Sequence, residues 1–226
     1  MKHSLLAVIL LMISPYLFAQ IADKKEIIKQ LDSIGALDQA YRNQLESIRQ
    51  KHAGDSIKLR SELKNKFRLI RETDSTNLIK VAAIISKYGW LSSEEIGEAG
   101  NSAMFMVIQH ADLKAQEKYL PMLRLASKEQ KLKATHLALI EDRVAMFNGK
   151  KQIYGSQLAW NITANKFTIM PMVDPDHIDE RRASIGLPPY AAYLSDMNMV
   201  WDVEQYKKDL PAIELWHKEI MKKVKP

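Results

Sequence analysis

The sequence predicts a mainly α fold, a helical bundle with one small β-hairpin. Three observations support this prediction. Apolar residues recur at helical spacing through most of the chain, beginning with Ile27, Leu31 and Ile34. Residues 103–108 are apolar on every side, which is typical of a helix that is buried all round. Near residues 151–173, two runs with strand-like composition flank a polar loop, which indicates a hairpin.

Residues 1–19 have the pattern of a secretory signal peptide. Lys2 and His3 provide a basic start, an apolar run follows over residues 5–13, and Ala19 is a small residue at which cleavage can occur. The run is shorter than the about 20 residues that a membrane-spanning helix needs. We therefore expect a periplasmic or secreted protein with no stable membrane insertion after cleavage. An uncleaved N-terminal anchor is the alternative.

Composition excludes several classes of site and partner. The chain has no cysteine, so disulfides and thiolate metal sites are impossible. Its formal net charge is +6, but basic residues are interspersed with acidic ones and form no stripe interleaved with aromatic residues. We therefore expect no nucleic-acid partner. Beyond the signal peptide, the chain is long enough for one domain with a sizeable core.

Residues 20–75 are predicted to form a helical N-terminal arm. Gly35 is expected to break the first helix, and the turn at residues 52–56 to end the second. The cluster Thr73-Asp74-Ser75 resembles an N-cap, so a new helix is expected to follow it. The apolar positions at helical spacing after Gly35 are Leu37, Tyr41, Leu45 and Ile48, then Leu59, Leu63, Phe67 and Ile70.

Residues 76–189 are predicted to form the core helical domain. Gly89 is expected to close its first helix, and Ser92 with Glu95 fits a capping box that opens the next. The helix that is apolar all round ends at His110, and Asp112 is placed to cap the helix after it. Residues 190–226 are predicted to form a C-terminal helical tail packed on the core.

The helix predicted from Leu132 to Phe147 has a polar residue in an apolar face. At 100° per residue, Arg143 falls on the same stripe as His136, Leu139 and Met146. An unpaired guanidinium in such a face is costly. Arg143 must therefore contact a carboxylate, a set of carbonyl groups or a ligand.

Residues 151–160 and 166–173 are predicted to be the two strands of the hairpin. Strict alternation places Gln152 and Tyr154 on one face and Gln157 on the other, unless a bulge at Gly155 reverses the direction of Gln157. Asp174 and Pro175 resemble an N-cap followed by the first helical position. The helix after them carries Arg181 and Arg182.

Taken together, these motifs resemble those of the bacterial domain-of-unknown-function family DUF6624. The resemblance covers roughly residues 37–190, implies a shared fold and brings no assigned activity. Residues 52–71 form a longer segment than in compact members, and Ser156 stands where threonine is frequent. Long forms with a signal peptide are typical of Bacteroidetes-type Gram-negative bacteria. The matching motifs are Asp38-Gln39-x-x-Arg42, Gly89-Trp90, Gly97, Gln109-His110-Ala111, Glu141-Asp142-Arg143, Gln152-x-Tyr154-Gly155-Ser156-Gln157, and Asp179-x-Arg181-Arg182 through Gly186-Leu187.

The leading functional hypothesis is an exported binding or interaction module with a polar cleft. Its ligand would be a small polar or anionic molecule, a sugar or a peptide, since arginine and amide side chains bind such groups. The candidate ligand-binding residues are Arg143, Gln152, Tyr154, Gln157, Arg181 and Arg182, with His110 beside them.

Two other functions are also consistent with the sequence. A hydrolase-like enzyme would use His110 as general acid or base and Asp142 to orient it. A purely structural domain would use the same polar residues as a buried network that fixes the hairpin on the helices. No cofactor or metal is expected, because the acidic residues near His177 are better explained as helix caps.

Overall fold

The computed structural model describes residues 15–161 and 166–224 and confirms a mainly α fold with one small hairpin. Within these residues the helices are α1 (Pro15–Ala40), α2 (Leu45–Lys51), α3 (Ser56–Tyr88), α4 (Ser93–His110), α5 (Leu113–Lys128), α6 (Ala134–Phe147), α7 (Ile178–Ala183), α8 (Tyr190–Ser195) and α9 (Val203–Val224). The strands are β1 (Leu158–Asn161) and β2 (Lys166–Ile169), and short 3-10 turns cover Arg42–Gln44 and Pro175–His177.

Helices α1, α3, α4, α5 and α6 enclose the main core. Lys87 near the end of α3 pairs with Asp23 near the start of α1, whereas Arg42 just beyond α1 pairs with Asp74. These contacts show that α1 and α3 are antiparallel. The rings of Phe105 on α4 and His136 on α6 stack with centroids 4.3 Å apart. The side chains that fill this core include Leu31, Val81, Met104, Ile108, Leu123 and Ile140.

Two predicted helix breaks are wrong. Helix α1 runs through Gly35, where a Cβ atom would lie 3.3 Å from the Cβ of Ala103, so glycine there permits close approach of α4. Helix α3 also runs through residues 73–75 without a cap. Asp74 instead binds Arg42, and the Ser75 hydroxyl donates to the carbonyl of Arg71 within the same helix.

The hairpin is shorter than predicted. Strand β1 pairs antiparallel with β2, from Leu158 opposite Ile169 to Asn161 opposite Lys166. Residues 151–157 are not part of the ladder, apart from a single bridge between Gln152 and Met172. The reason is that the backbone N–H groups of Ile153, Tyr154 and Ser156 donate to the carboxylate of Asp142 on α6 and are therefore not available to a partner strand.

A second, smaller core joins the hairpin to the C-terminal helices. Its buried residues include Ile169, Met172, Ile178, Tyr190 and Tyr206. The Tyr206 hydroxyl donates to the carbonyl of Met170 and accepts from the N–H of Met172. Helix α9 also reaches the main bundle, because the buried His217 bonds through Nε2 with the carbonyl of Met146.

The predicted signal peptide lies mostly outside the described residues, which begin at Pro15. Across the described part of the chain, every helix is too short or too polar to cross a lipid bilayer.

Candidate functional site

Arg143 has no counter-ion among the described residues. It lies on α6 between the buried residues Asp142 and Val144. Its Nε is enclosed and has no hydrogen-bond partner. Burial lowers the pKa of Arg143 to about 10, and the nearby positive charge of Arg42 lowers it as well. Both effects act against the charged guanidinium, so an anion placed here would be strongly stabilising.

Arg42, whose charge acts on Arg143, belongs to a set of paired charges. His110, at the end of α4, bonds through Nδ1 with both carboxylate oxygens of Asp38, each at 3.0 Å. Nη2 of Arg42 lies 2.8 Å from both carboxylate oxygens of Asp74, while Nη1 donates to the backbone carbonyl of Asp38 at 2.7 Å. We call Asp38, Arg42, Asp74, His110 and Arg143 the bundle-end cluster.

The carboxylates of this cluster already have partners. Burial raises the pKa of Asp38. The hydrogen bond and charge of His110, together with the charge of Arg42, lower this pKa by more than burial raises it, so the pKa lies below its usual range. Burial raises the pKa of Asp74 more than Arg42 lowers it. Arg42 and His110 contact these two carboxylates, whereas Arg143 forms no ion pair or hydrogen bond with them.

Asp142 lies about 100° around α6 from Arg143 and organises the loop that follows the helix. Its carboxylate accepts the backbone N–H groups of Ile153, Tyr154 and Ser156 at 2.6–3.1 Å, and the Ser156 hydroxyl at 2.9 Å. Burial raises the pKa of Asp142, whereas these four donors lower it. His110 therefore pairs with Asp38 and not, as the sequence suggested, with Asp142, whose hydrogen bonds are with the loop.

The two glutamines continue this loop network. Gln152 is fully buried, and its amide nitrogen donates to the carbonyls of Gln157 and Met170. Its amide oxygen accepts the N–H of Gln157 at 2.7 Å. The amide nitrogen of Gln157 donates to the Ser156 hydroxyl at 2.9 Å and to the Leu139 carbonyl at 3.3 Å. These amide groups therefore fix the backbone between α6 and β1.

Arg181 and Arg182 bind backbone carbonyls on the outer side of the same loop. Arg181 donates to the carbonyls of Ile153, Val173 and Asp174. Arg182 is 1% exposed and donates to the carbonyls of Pro188 and Tyr154. Its guanidinium carbon lies 5.2 Å and 4.8 Å from the ring centroids of Tyr190 and Tyr193, which adds cation–π attraction.

The predicted site residues thus divide into two groups. His110 and Arg143 belong to the bundle-end cluster. Asp142, Gln152, Gln157, Arg181, Arg182 and the backbone of Tyr154 belong to the loop network. The Tyr154 side chain is half-buried, and burial raises its pKa.

Sequence reasoning did not select Asp38, Arg42 and Asp74 as site residues. Asp38 and Arg42 were visible as an acid–base pair four residues apart in one of the family motifs, a spacing that brings two side chains together on a helix. The sequence pattern at residues 73–75 instead predicts that Asp74 caps the start of a helix. Its pairing with Arg42, over 32 residues of sequence, depends on how α1 packs on α3.

The acidic residues around His177 have partners of their own. The Asp174 carboxylate bonds with Nδ1 of His177 at 2.9 Å, and this contact raises the pKa of His177. Asp176 pairs with Lys207, and Asp179 accepts the N–H of Tyr190 at 2.6 Å. Asp179 thereby joins α7 to the start of α8.

Comparison with known proteins identifies the family of this chain. No curated protein and no solved structure matches it. The model of one protein family matches residues 26–205, a span that contains the bundle-end cluster, the loop network and the hairpin. The chain therefore belongs to the family of unknown function DUF6624.

Proposed function

We propose that the protein is a binding module for a small anionic ligand, which Arg143 holds at the bundle-end cluster. The observation that carries this proposal is the half-buried Arg143, whose Nε is enclosed and which has no hydrogen bond or ion pair with the described residues. A buried charge without a partner costs several kcal/mol. Such a cost is characteristic of groups that are retained for function rather than for stability.

The single unpaired guanidinium of the cluster favours a ligand with one carboxylate group. The Arg42 guanidinium is engaged by Asp74, and the Asp38 carboxylate by His110 and Arg42. Arg143 has no carboxylate partner among the described residues, so its guanidinium is the unpaired one of the two arginines. A carboxylate would neutralise it and could accept two parallel hydrogen bonds from a guanidinium. A small carboxylic acid or the C-terminus of a peptide fits this requirement better than a dianion does.

The pattern of residues 1–19 supports a periplasmic or secreted location for this binding activity. The ligand would then be a molecule of the cell envelope or of the surrounding medium.

Calorimetric titration with small monocarboxylates, such as acetate, benzoate and an N-acetylated amino acid, tests the proposal. We expect saturable binding of at least one of them with one site per chain, and binding at least about tenfold weaker in Arg143→Met, because a charge-assisted pair is worth roughly 1.5–3 kcal/mol. Inorganic phosphate is expected to bind less tightly than the best carboxylate at neutral pH.

The matched control is Arg124→Met, which removes an exposed guanidinium that pairs with Glu141 on the surface. This variant should bind as the unmodified protein does. Equal loss of affinity in the two variants would mean that general charge, and not Arg143, holds the anion. Failure of every monocarboxylate to bind would also overturn the proposal.

A hydrolase-like enzyme is the second candidate, and the bond between His110 and Asp38 favours it. A carboxylate on Nδ1 orients a histidine so that Nε2 can act as acid or base. Asp38 would then take the orienting role that the sequence suggested for Asp142. If this candidate is right, activated carboxylic esters should be hydrolysed, and His110→Asn should abolish the activity while leaving carboxylate affinity within about threefold.

A further inference from the structure

The positive charge of the chain is concentrated in one segment. Residues 42–71 contain nine Lys or Arg and three Asp or Glu, which is a formal charge of +6. The whole chain also has a formal charge of +6, so the other residues sum to zero. A concentrated positive field of this kind attracts acidic partners over distances near the Debye length.

An apolar groove lies along this basic segment. Its floor is formed by Leu59, Leu63 and Phe67, which follow one face of α3 at four-residue spacing. Trp160 of β1 forms the opposite side, and the turn at residues 52–54 closes one end. The cavity has a volume of about 510 Å³, and Phe67 is 39% exposed. The part of α3 that lines the groove therefore presents apolar side chains that the described part of the fold leaves partly uncovered.

The rim of the groove is basic. Arg60 and Lys64 line it, lie one helical turn apart and are both exposed. Neither forms an ion pair or hydrogen bond with the described residues. On the other side, the guanidinium of Arg49 lies 5.2 Å from the ring centroid of Trp160, which holds the indole in position. The groove thus combines an apolar floor with unpaired positive charges at its edge.

We infer that this groove is a docking site for an acidic amphipathic helix of a partner protein. From Leu59 to Phe67 the floor contains nine residues and rises by about 12 Å along the helix, which matches about two turns of a bound helix. Leucine-like side chains at positions i, i+4 and i+7 would enter the groove, and acidic residues beside them would meet Arg60 and Lys64. Because the groove is a cavity of about 510 Å³ that Trp160 also lines, protruding side chains enter it better than a flat bilayer does.

Fluorescence anisotropy with the full mature chain tests this inference. The probe is a labelled helical peptide of about fifteen residues, with leucine at i, i+4 and i+7 and glutamate on the flanking positions. We expect saturable binding that weakens as salt is added, and no binding of the same peptide with lysine in place of glutamate. The double variant Arg60→Glu/Lys64→Glu should lose at least about tenfold in affinity, because like charges would then face each other.

The matched control is Lys114→Glu/Lys118→Glu, which reverses two exposed lysines at the same spacing on α5. It should bind the acidic peptide within about twofold of the unmodified chain. Equal weakening by both double variants would show a response to net charge alone and would overturn the inference. So would absence of saturable peptide binding, or binding of anionic phosphatidylglycerol vesicles instead of the peptide through Arg60 and Lys64.

Discussion

Replacing Asp142 with asparagine should reduce the free energy of unfolding by about 3–5 kcal/mol, since a buried charged acceptor with several partners is lost. The carboxylate accepts three backbone N–H groups and one hydroxyl. In asparagine one oxygen becomes an NH₂ group, which cannot accept these bonds and faces donors instead. Urea unfolding followed by circular dichroism at neutral pH measures the loss.

Asp32→Asn is the control for this prediction. Asp32 is exposed on α1 and makes no hydrogen bond or ion pair with the described residues. Its replacement should change the stability by no more than about 0.5 kcal/mol. A loss below about 1 kcal/mol in Asp142→Asn would contradict the role that we give to Asp142 in organising the loop.

Replacing Gly155 with alanine should reduce the free energy of unfolding by about 2–5 kcal/mol. Gly155 has a φ of +71°, a conformation that costs an L residue about 1–2 kcal/mol. An added Cβ would also lie 2.7 Å from Cε2 of the buried Tyr190 ring, and overpacking of this kind typically costs about 1–3 kcal/mol. The same urea experiment measures the sum of the two costs.

Gly149→Ala separates these two costs. Gly149 has nearly the same φ, +72°, but a Cβ there would meet no atom within 4 Å. We expect Gly149→Ala to reduce the free energy of unfolding by about 1–2 kcal/mol, which is the cost of the backbone conformation alone. Equal losses in the two variants would mean that Tyr190 moves aside at little cost, and that the loop is not packed tightly against α8.

The helical fold and the position of the hairpin could be predicted because both depend on local periodicity. Apolar residues at helical spacing, such as Leu31 and Ile34, are buried as the pattern indicates. The position of Arg143 within a helix also followed from the spacing. These predictions used only residues that are near one another in the chain.

The contacts that define the loop network and the bundle-end cluster could not be predicted in this way. Asp38 and His110 are 72 residues apart, so their bond depends on how α1 packs on α4. The strand-like alternation at residues 151–157 was overridden because a side chain of α6 takes the backbone donors there. Tertiary hydrogen bonds of this kind leave no periodic signal in the sequence.

The measurement that tests the central claim most directly is urea unfolding of Arg143→Met beside the unmodified protein, in a buffer of low ionic strength without carboxylates. If Arg143 is kept for a ligand, its replacement at this half-buried position should leave the stability unchanged or raise it by about 1–2 kcal/mol, because a charge without a partner is replaced by an apolar chain of similar length. A loss of about 1–3 kcal/mol would instead show that the guanidinium stabilises the folded chain itself, and would contradict the claim that Arg143 forms an anion-binding site.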